Sequence, residues 1–407
     1  MNPDADGCKP LAVRQVPSII PEEVERFTVH ALQAEFARSF DPKATLHQLR
    51  VGGEKTVVAV DIGGDKLVAW SYDVHEGFLL PRTELLVLRG DDGAGYLTAL
   101  EELADRTSCK NFSVGISFAG PTDGTRLLAG PNLQTFIAVF YNWYCQNFAN
   151  LFPSVVVAND AEAGIMAGAL EAAKRDPELR NVIYVINGSG LGGAVLTGNT
   201  IYAAEPGHIQ IEAKLNPFGQ RKPCGMLGAA YVCIEDVAAS KAGVEDIWFQ
   251  QKGERRSGRE IAAKYLNGDH MALQLYDNSA LVIAHVIRGV AKAFSFPRNF
   301  EGTVVVGHGG IFRVPGYRER VCTILEKDLS CVPKMMLTKD FSNNACLDGA
   351  AIAAATSGNS KIDNTAGCLL RAYRRDFRSS MLAVKGATHE RACALCGPRW
   401  GNSPSGG

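Results

Sequence analysis

The stretch VVVANDAEAG, residues 155–164, constrains the fold more than any other part of the chain. Its β-branched apolar run reads as a strand buried on both faces, as in a parallel sheet. The run stops abruptly at Asn159-Asp160, and open α/β sheets gather their ligands beyond the carboxyl ends of such strands. An amide beside a carboxylate at that point can grip a substrate hydroxyl and accept its proton. A turn or a helix cap uses the same two residue types, so the surrounding chain has to decide.

Two segments of the same type flank this strand. VGGEKTVVAVDIGGDKLVAWSYD, ending at residue 73, reads as strand, glycine turn, strand. Residues 182–187 and 193–197 repeat that pattern around a second glycine turn. Further β segments are expected at 79–88, 113–118 and 303–306, and helices near 93–105 and over 161–174, 258–268, 270–296 and 345–357. Residues 1–20 read as loose, and 21–40 as a helix. Pro21, Glu22 and Glu23 suit its first turn, and Leu32, Phe36 and Phe40 share a face. There is no short-period repeat of the solenoid kind.

At 407 residues the chain is long for one core, so two domains are expected. A net charge of −1 gives no attraction to nucleic acid or membrane. No apolar run is long enough to span a bilayer, and the N-terminus lacks a signal pattern. The 11 cysteines are scattered and odd in number, which suits a reduced, cytoplasmic chain better than a disulfide framework.

The first turn, Asp61-Ile62-Gly63-Gly64-Asp65-Lys66, lets a phosphate approach backbone N–H groups, with Asp61 placed to hold Mg²⁺ directly or through water. The second, Asn187 to Gly193, has four glycines in six residues plus Ser189, and matches neither a Rossmann pattern nor a P-loop. Glu205-Pro206-Gly207-His208 follows, with two polar groups able to face one ligand. Each piece alone also fits an ordinary surface turn.

In order, these pieces resemble the ROK family of sugar kinases, within the hexokinase and actin-like ATPase superfamily. The resemblance spans roughly residues 55–357 and rests on the first turn, GPNL (130–133), ANDAEAG, INGSGLGGAVLTG (186–198), EPGH, GREIAAKYLNGDHMALQLYD (258–277) and VVVGHGGIF (304–312). It implies a two-domain α/β fold of the actin-like, ribonuclease H-like type, with the active site in an interdomain cleft. The expected division is an N-terminal extension with one helix (1–50), a small domain (51–158 plus 345–375), a large domain (159–344) and a disordered tail (376–407). By the family pattern Asp160 is the general base. Asn132, Asn159, Glu205, His208 and Glu235 bind the sugar. Asp61 acts near Mg²⁺. Gly63, Gly64, Lys66, Gly188, Ser189 and Gly190 surround the ATP phosphates, and Gly309 and Gly310 lie by the adenosine. A dimer is common in the family.

The chain departs from the family in three places. Asp65 replaces the usual Thr beside the phosphate turn. Lys222 and Ala229 stand where the family's zinc-binding run has cysteines, which leaves His208, Cys224 and Cys233, one ligand short of a closed site. Zinc is therefore not expected. The tail carries His389 and one Cys393-Ala394-Leu395-Cys396 motif, read as chance cysteines in a flexible end. The functional expectation is an ATP- and Mg²⁺-dependent kinase for a hydroxyl of a hexose or hexose-like substrate, such as an amino sugar or C7-cyclitol. The alternatives are a ROK-type transcriptional regulator and an inactive sugar-binding protein. Residues 1–50 hold six Lys/Arg against seven Asp/Glu, a poor balance for DNA.

Overall fold

The structure is a computed structural model that describes residues 37–53, 55–63, 66–89, 94–107, 112–120, 122, 154–204, 206–208, 210–212, 231–329 and 333–357. It opens with a short strand, β1 (Ala37–Ser39), and helix α1 (Pro42–Val51). Asp41 caps α1 by accepting from the Lys43 and Ala44 N–H groups, and Pro42 occupies the first helical position. The helix expected over 21–40 therefore does not include residues 37–39. Tertiary pairing overrides the helical spacing there: β1 hydrogen-bonds to a distant strand, and Phe40 is buried in the core between the sheets. Residues 21–36 lie outside the described residues.

Each apolar run flanked by a glycine turn becomes a strand. The first sheet holds β2 (Lys55–Ile62), β3 (Lys66–His75) and β4 (Phe78–Arg89), then helix α2 (Ala94–Thr107), β5 (Ser113–Phe118) and β6 (Ser154–Asn159). Its order is β4-β3-β2-β5-β6, with an antiparallel meander followed by parallel additions. Helix α3 (Asp160–Arg175) leaves directly from β6.

The second sheet repeats the plan. It holds β7 (Asn181–Asn187), β8 (Leu191–Thr197) and β9 (Thr200–Ala204), and after them come a two-stranded ribbon of β10 (Gln210–Glu212) and β11 (Tyr231–Cys233). Helix α4 (Glu235–Ala238), a π-helical turn (Ser240–Asp246), α5 (Ile247–Lys252), α6 (Gly258–Leu266) and α7 (His270–Ala293) follow. Then come β12 (Thr303–His308), α8 (Tyr317–Leu329), β13 (Lys334–Leu337) and α9 (Ala345–Thr356). The sheet order is β1-β9-β8-β7-β12-β13, so β1 is an added edge on the same five-strand plan.

Three apolar cores define the layers. Tyr96, Leu100 and Leu103 of α2 cover one face of the first sheet. Helices α6, α7 and α8 cover one face of the second. Between the sheets lie α3 and α9, packed on Val57 and Ala59 of β2 and on Val182, Tyr184, Val304 and Val306 of the second sheet. Small residues permit this close middle layer. A methyl group on Gly349 would overlap the Ala163 carbonyl of α3, and one on Gly115 would overlap the Ala350 carbonyl of α9. The α/β class expected from the sequence holds.

Residues 358–407, with the tail expected over 376–407, lie outside the described residues. Among the described residues no helix is long and apolar enough to cross a membrane.

Candidate active site

Alternation along β2 sends Val57 and Ala59 into the core between the sheets, and so points Asp61 to the same side. Asp61 is buried. Its Oδ1 accepts from Ser117 Oγ of β5 at 2.9 Å, and its Oδ2 accepts from Asn344 Nδ2 at 3.0 Å. Asn344 is the N-cap of α9, where its Oδ1 accepts from Leu347 N at 3.2 Å. One amide thus starts a helix and fixes a carboxylate.

The same device recurs at α3. Asn159 ends β6 and caps α3: its Oδ1 accepts from Ala161 N at 2.8 Å and Glu162 N at 3.4 Å. The Glu162 carboxylate returns a bond from Asn159 N at 3.1 Å, completing a capping box. Asn159 Nδ2 donates to Gly120 O at 3.0 Å. Asn159 was expected to bind the sugar. Its amide oxygen is committed to the cap, and its side chain also hydrogen-bonds the Asp160 carboxyl, so its amide serves the turn itself. Both strand-to-helix junctions therefore turn a helix N-terminus toward one region, and such ends favour anions.

Asp160 is the first residue of α3 and partly exposed. Burial and the charge of Asp61 push its carboxyl up to about 7, against the lowering effect of the Ala161 N–H. A carboxylate poised there can take a proton at neutral pH. It shares its surroundings with two groups that were not foreseen. Burial raises the Cys346 thiol on the first turn of α9, with the charges of Asp61 and Asp160 adding to it. Burial likewise raises the Tyr184 hydroxyl, which packs against Gly164 of α3.

In the second sheet, the second glycine turn is braced by Asn187. Asn187 is fully buried; its Nδ2 donates to Ala238 O at 3.0 Å and Ser279 Oγ at 3.3 Å, and its Oδ1 accepts from Ser240 N at 3.2 Å. Gly309, at the end of β12, has φ +109°, and a side chain there would collide with the Asn187 carbonyl. Gly309 is thus required by the chain itself. Gly188 and Gly310 are different. A methyl group on either would meet no atom of the described residues within 4 Å, so packing among them gives no reason for glycine. Room for close approach of a ligand to the backbone does give one.

Glu235 opens α4. Its Oε2 lies 3.1 Å from where a Cβ on Gly190 would be and 3.0 Å from the corresponding point on Gly207. The second glycine turn, the Pro206–His208 turn and Glu235, expected from three separate stretches, thus meet. Lys66 lines an open cavity of about 320 Å³ beside Asn343 and Asn344. Gly63 N donates to Lys66 O at 2.9 Å, which closes the first turn, while Ser189 is exposed at the tip of the second.

His308, the one non-glycine in its run, was missed as a site residue. Its Nδ1 is 2.9 Å from Thr338 Oγ1, and its ring stacks on Tyr184 with centroids 6.0 Å apart. Burial, with Arg313 and Lys66 adding to it, holds its ring down to about 4, so it is neutral at pH 7. Of the remaining expected residues, Gly64, Asp65, Asn132, Glu205 and Cys224 lie outside the described residues, as does the side chain of His208. Cys233 is buried. Among the described residues no group of three or more His, Cys, Asp or Glu is placed to hold a metal.

The ROK family model matches residues 57–357. The fold is similar to a ROK hexokinase from Thermus thermophilus, 23% identical with a TM-score of 0.52, over 73% of this chain and 97% of that one. It is similar to a ROK family glucokinase from Streptomyces griseus solved with glucose and AMPPNP, at 21% identity and a TM-score of 0.51, over 73% and 98%. It is also similar to a ROK family transcriptional regulator, a homologue of the E. coli MLC protein, at 18% identity and a TM-score of 0.51, over 81% and 87%. No curated protein matches in sequence. These neighbours carry the actin-like ATPase fold, and the matched span holds both repeated sheets and the helices between them. The solved structures share the fold, and the family model, which spans well over half of the sequence, carries the assignment: the chain belongs to the ROK family.

Proposed function

We propose that this chain is an ATP-dependent kinase acting on a hydroxyl of a hexose or hexose-like substrate, with Asp160 as general base. One observation carries the reading. A carboxyl poised near 7 stands at a helix N-terminus beside Asp61, and the turns of the second sheet carry glycines, Gly188 and Gly310, with open space among the described residues where a side chain would stand. Phosphoryl transfer asks chiefly for positioning and for neutralisation of charge. Gly63, Gly64, Lys66, Gly188, Ser189 and Gly190 would line the phosphates, and Gly309 and Gly310 the adenosine. Asn132, Asn159, Glu205, His208 and Glu235 would hold the acceptor, as a site for a polyhydroxyl ligand requires several convergent donors and acceptors.

The carboxylates suit a divalent cation. Asp61 takes one hydrogen bond on each oxygen, which leaves lone pairs free, and its charge weighs on Asp160. Asp61 would hold Mg²⁺, directly or through water, and the ion would offset negative charge on the phosphates. Asp160 would take the acceptor's proton as the acceptor oxygen bonds to the γ-phosphorus and the bond from that phosphorus to the departing ADP oxygen breaks.

The likeness to a ROK regulator supports a second reading, a sugar-responsive DNA-binding protein. The charge balance of residues 1–50 weighs against it, as does the use of residues 37–51 as a sheet edge and a packed helix. A panel of hexoses, amino sugars and cyclitols, assayed for acceptor-dependent ADP release from Mg-ATP, tests the kinase reading. Release from one class above the acceptor-free rate supports it. No release from any, with retained sugar binding by calorimetry, moves the assignment to a sensor.

A further inference from the structure

Arg38 belongs to β1, outside the segment that the family comparison covers. Strand β1 is the edge of the second sheet and pairs with β9, with Arg38 opposite Ile201. Its backbone therefore belongs to one sheet. Its side chain reaches the other. Arg38 Nη2 donates to the Val157 carbonyl of β6 at 2.6 Å and lies 3.6 Å from Glu162 Oε2. Among the described residues β6 is the last strand of the first sheet, so this guanidinium satisfies a carbonyl on the strand that leads into Asn159-Asp160.

Glu162 links Arg38 to the start of α3. Its side chain is only 4% exposed, and Arg38 is the cation paired with it. Burial raises the Glu162 carboxyl and Arg38 opposes that rise. Glu162 in turn accepts from Asn159 N, and Asn159 caps the helix that begins with Asp160. A buried carboxylate stripped of its cation is strongly disfavoured, and a half-satisfied capping box no longer fixes the first turn of α3. The contacts run without a gap from Arg38 through Glu162 and Asn159 to Asp160.

The segment around Arg38 is anchored at several points. Phe40 is buried in the core between the sheets and its N–H donates to Asn199 O at 2.8 Å. Asp41 accepts from Asn199 Nδ2 at 3.1 Å, and Lys43 Nζ donates to Pro177 O at 2.6 Å. An arginine held this firmly reports the position of the second sheet to the catalytic turn of the first. Arginine suits the task because its guanidinium donates to a carbonyl while its charge faces a carboxylate 3.6 Å away.

We infer that Arg38 is a positioning residue for Asp160: through the Glu162 capping box it holds the catalytic carboxylate in register with the second sheet. This rests on the proposed kinase function. It makes the N-terminal extension part of the catalytic apparatus rather than an appendage.

The test uses the full-length chain and the variants Arg38→Met, Arg38→Lys, Glu162→Gln and the Arg38→Met/Glu162→Gln pair. Displacing a catalytic group by about 1 Å costs up to roughly 10²-fold. For Arg38→Met, kcat per folded molecule is therefore expected to fall by about 10- to 100-fold, while KM for sugar and ATP stays within about 3-fold. Arg38→Lys is expected to recover part of the loss, and the double variant to be no worse than the poorer single one, because both cut the same link. A purely structural strap would lower the melting temperature and leave kcat per folded molecule unchanged. That outcome, or additive losses in the pair, overturns the inference. If Arg38→Met does not fold, Arg38→Lys and Glu162→Gln carry the same kinetic test.

Deuterium uptake at residues 159–162 is read in parallel and needs no activity. Faster exchange confined to that turn in Arg38→Met supports the link, and unchanged exchange overturns it. If the parent phosphorylates no acceptor, the kinase reading falls, and the exchange measurement alone decides whether Arg38 holds this turn.

Discussion

Asp160 accepts an N–H at a helix start, yet its carboxyl stands near 7 because burial and Asp61 outweigh that help. Two consequences follow from one residue. Asp160→Asn keeps the shape but cannot take a proton, so kcat should fall by roughly 10²–10⁴-fold with a much smaller change in sugar affinity; a kcat within a few fold of the parent removes Asp160 as the base. The same substitution should stabilise the fold. The folded-state value near 7 lies above the ordinary 3.8, so between these the folded chain binds the proton more tightly than the unfolded one. Unfolding free energy therefore falls as pH rises through that window, and the cost is complete above pH 7. Asp160→Asn removes it, by no more than about 4 kcal/mol and less because the group is partly exposed. Melting curves should show a gain at pH 8 that shrinks toward pH 5; equal gains at both would mean the carboxyl is not raised. Glycines give a matched pair. Gly309→Ala collides with the Asn187 carbonyl at a φ of +109° and should cost about 2–3 kcal/mol. Gly188→Ala meets nothing among the described residues, so it should leave the melting temperature within a degree or two and raise the KM for ATP. A Gly188 variant with unchanged KM would mean that no phosphate approaches there.

At the scale of elements, the two helices capped by asparagine, α3 and α9, stand beside the carboxylates Asp160 and Asp61. Asn344 both starts α9 and donates to Asp61. Asn344→Asp keeps an acceptor for Leu347 N but sets a second carboxylate against Asp61. The added negative charge draws the cation more strongly, so activity should then need a lower Mg²⁺ concentration, with a shift of about 1 kcal/mol in apparent metal affinity. A magnesium titration checks this, and a midpoint equal to the parent's would separate Asp61 from the metal. Elements were legible wherever the signal was local. The runs that became β2, β5, β7 and β12 are β-branched and end at glycine or polar turns, and the pattern needs no partner to be read. Strand β1 was not legible. Ala37–Ser39 carries no strand signal of its own; its pairing with β9, far along the chain, forms it. The small strands β10, β11 and β13 escaped for the same reason, being too short for any periodicity.

Across the whole molecule, α3 and α9 form a layer shared by both sheets, and its thickness is set by small residues. A methyl group on Gly349 would overlap the Ala163 carbonyl. Gly349→Ala should force the helices apart and cost about 1–3 kcal/mol, measured by denaturant unfolding; a loss below about 0.5 kcal/mol would mean the layer can widen freely. The repeated plan was half visible in advance, as two strand–glycine turn–strand segments with an Asp-bearing strand between them. By itself the sequence determined the α/β class, the two glycine turns, Asp61 and Asp160 at strand ends, and the ordered motifs that identify the family, because each depends on neighbours a few residues away. The tertiary structure alone decided which groups act on those carboxylates. Ser117 and Asn344 reach Asp61 from 56 and 283 residues away, Arg38 reaches Val157 from 119, and His308 meets Thr338 across two strands. Such partners leave no periodic trace in the chain, because burial and hydrogen-bond geometry select them only after the two sheets have closed on a common layer.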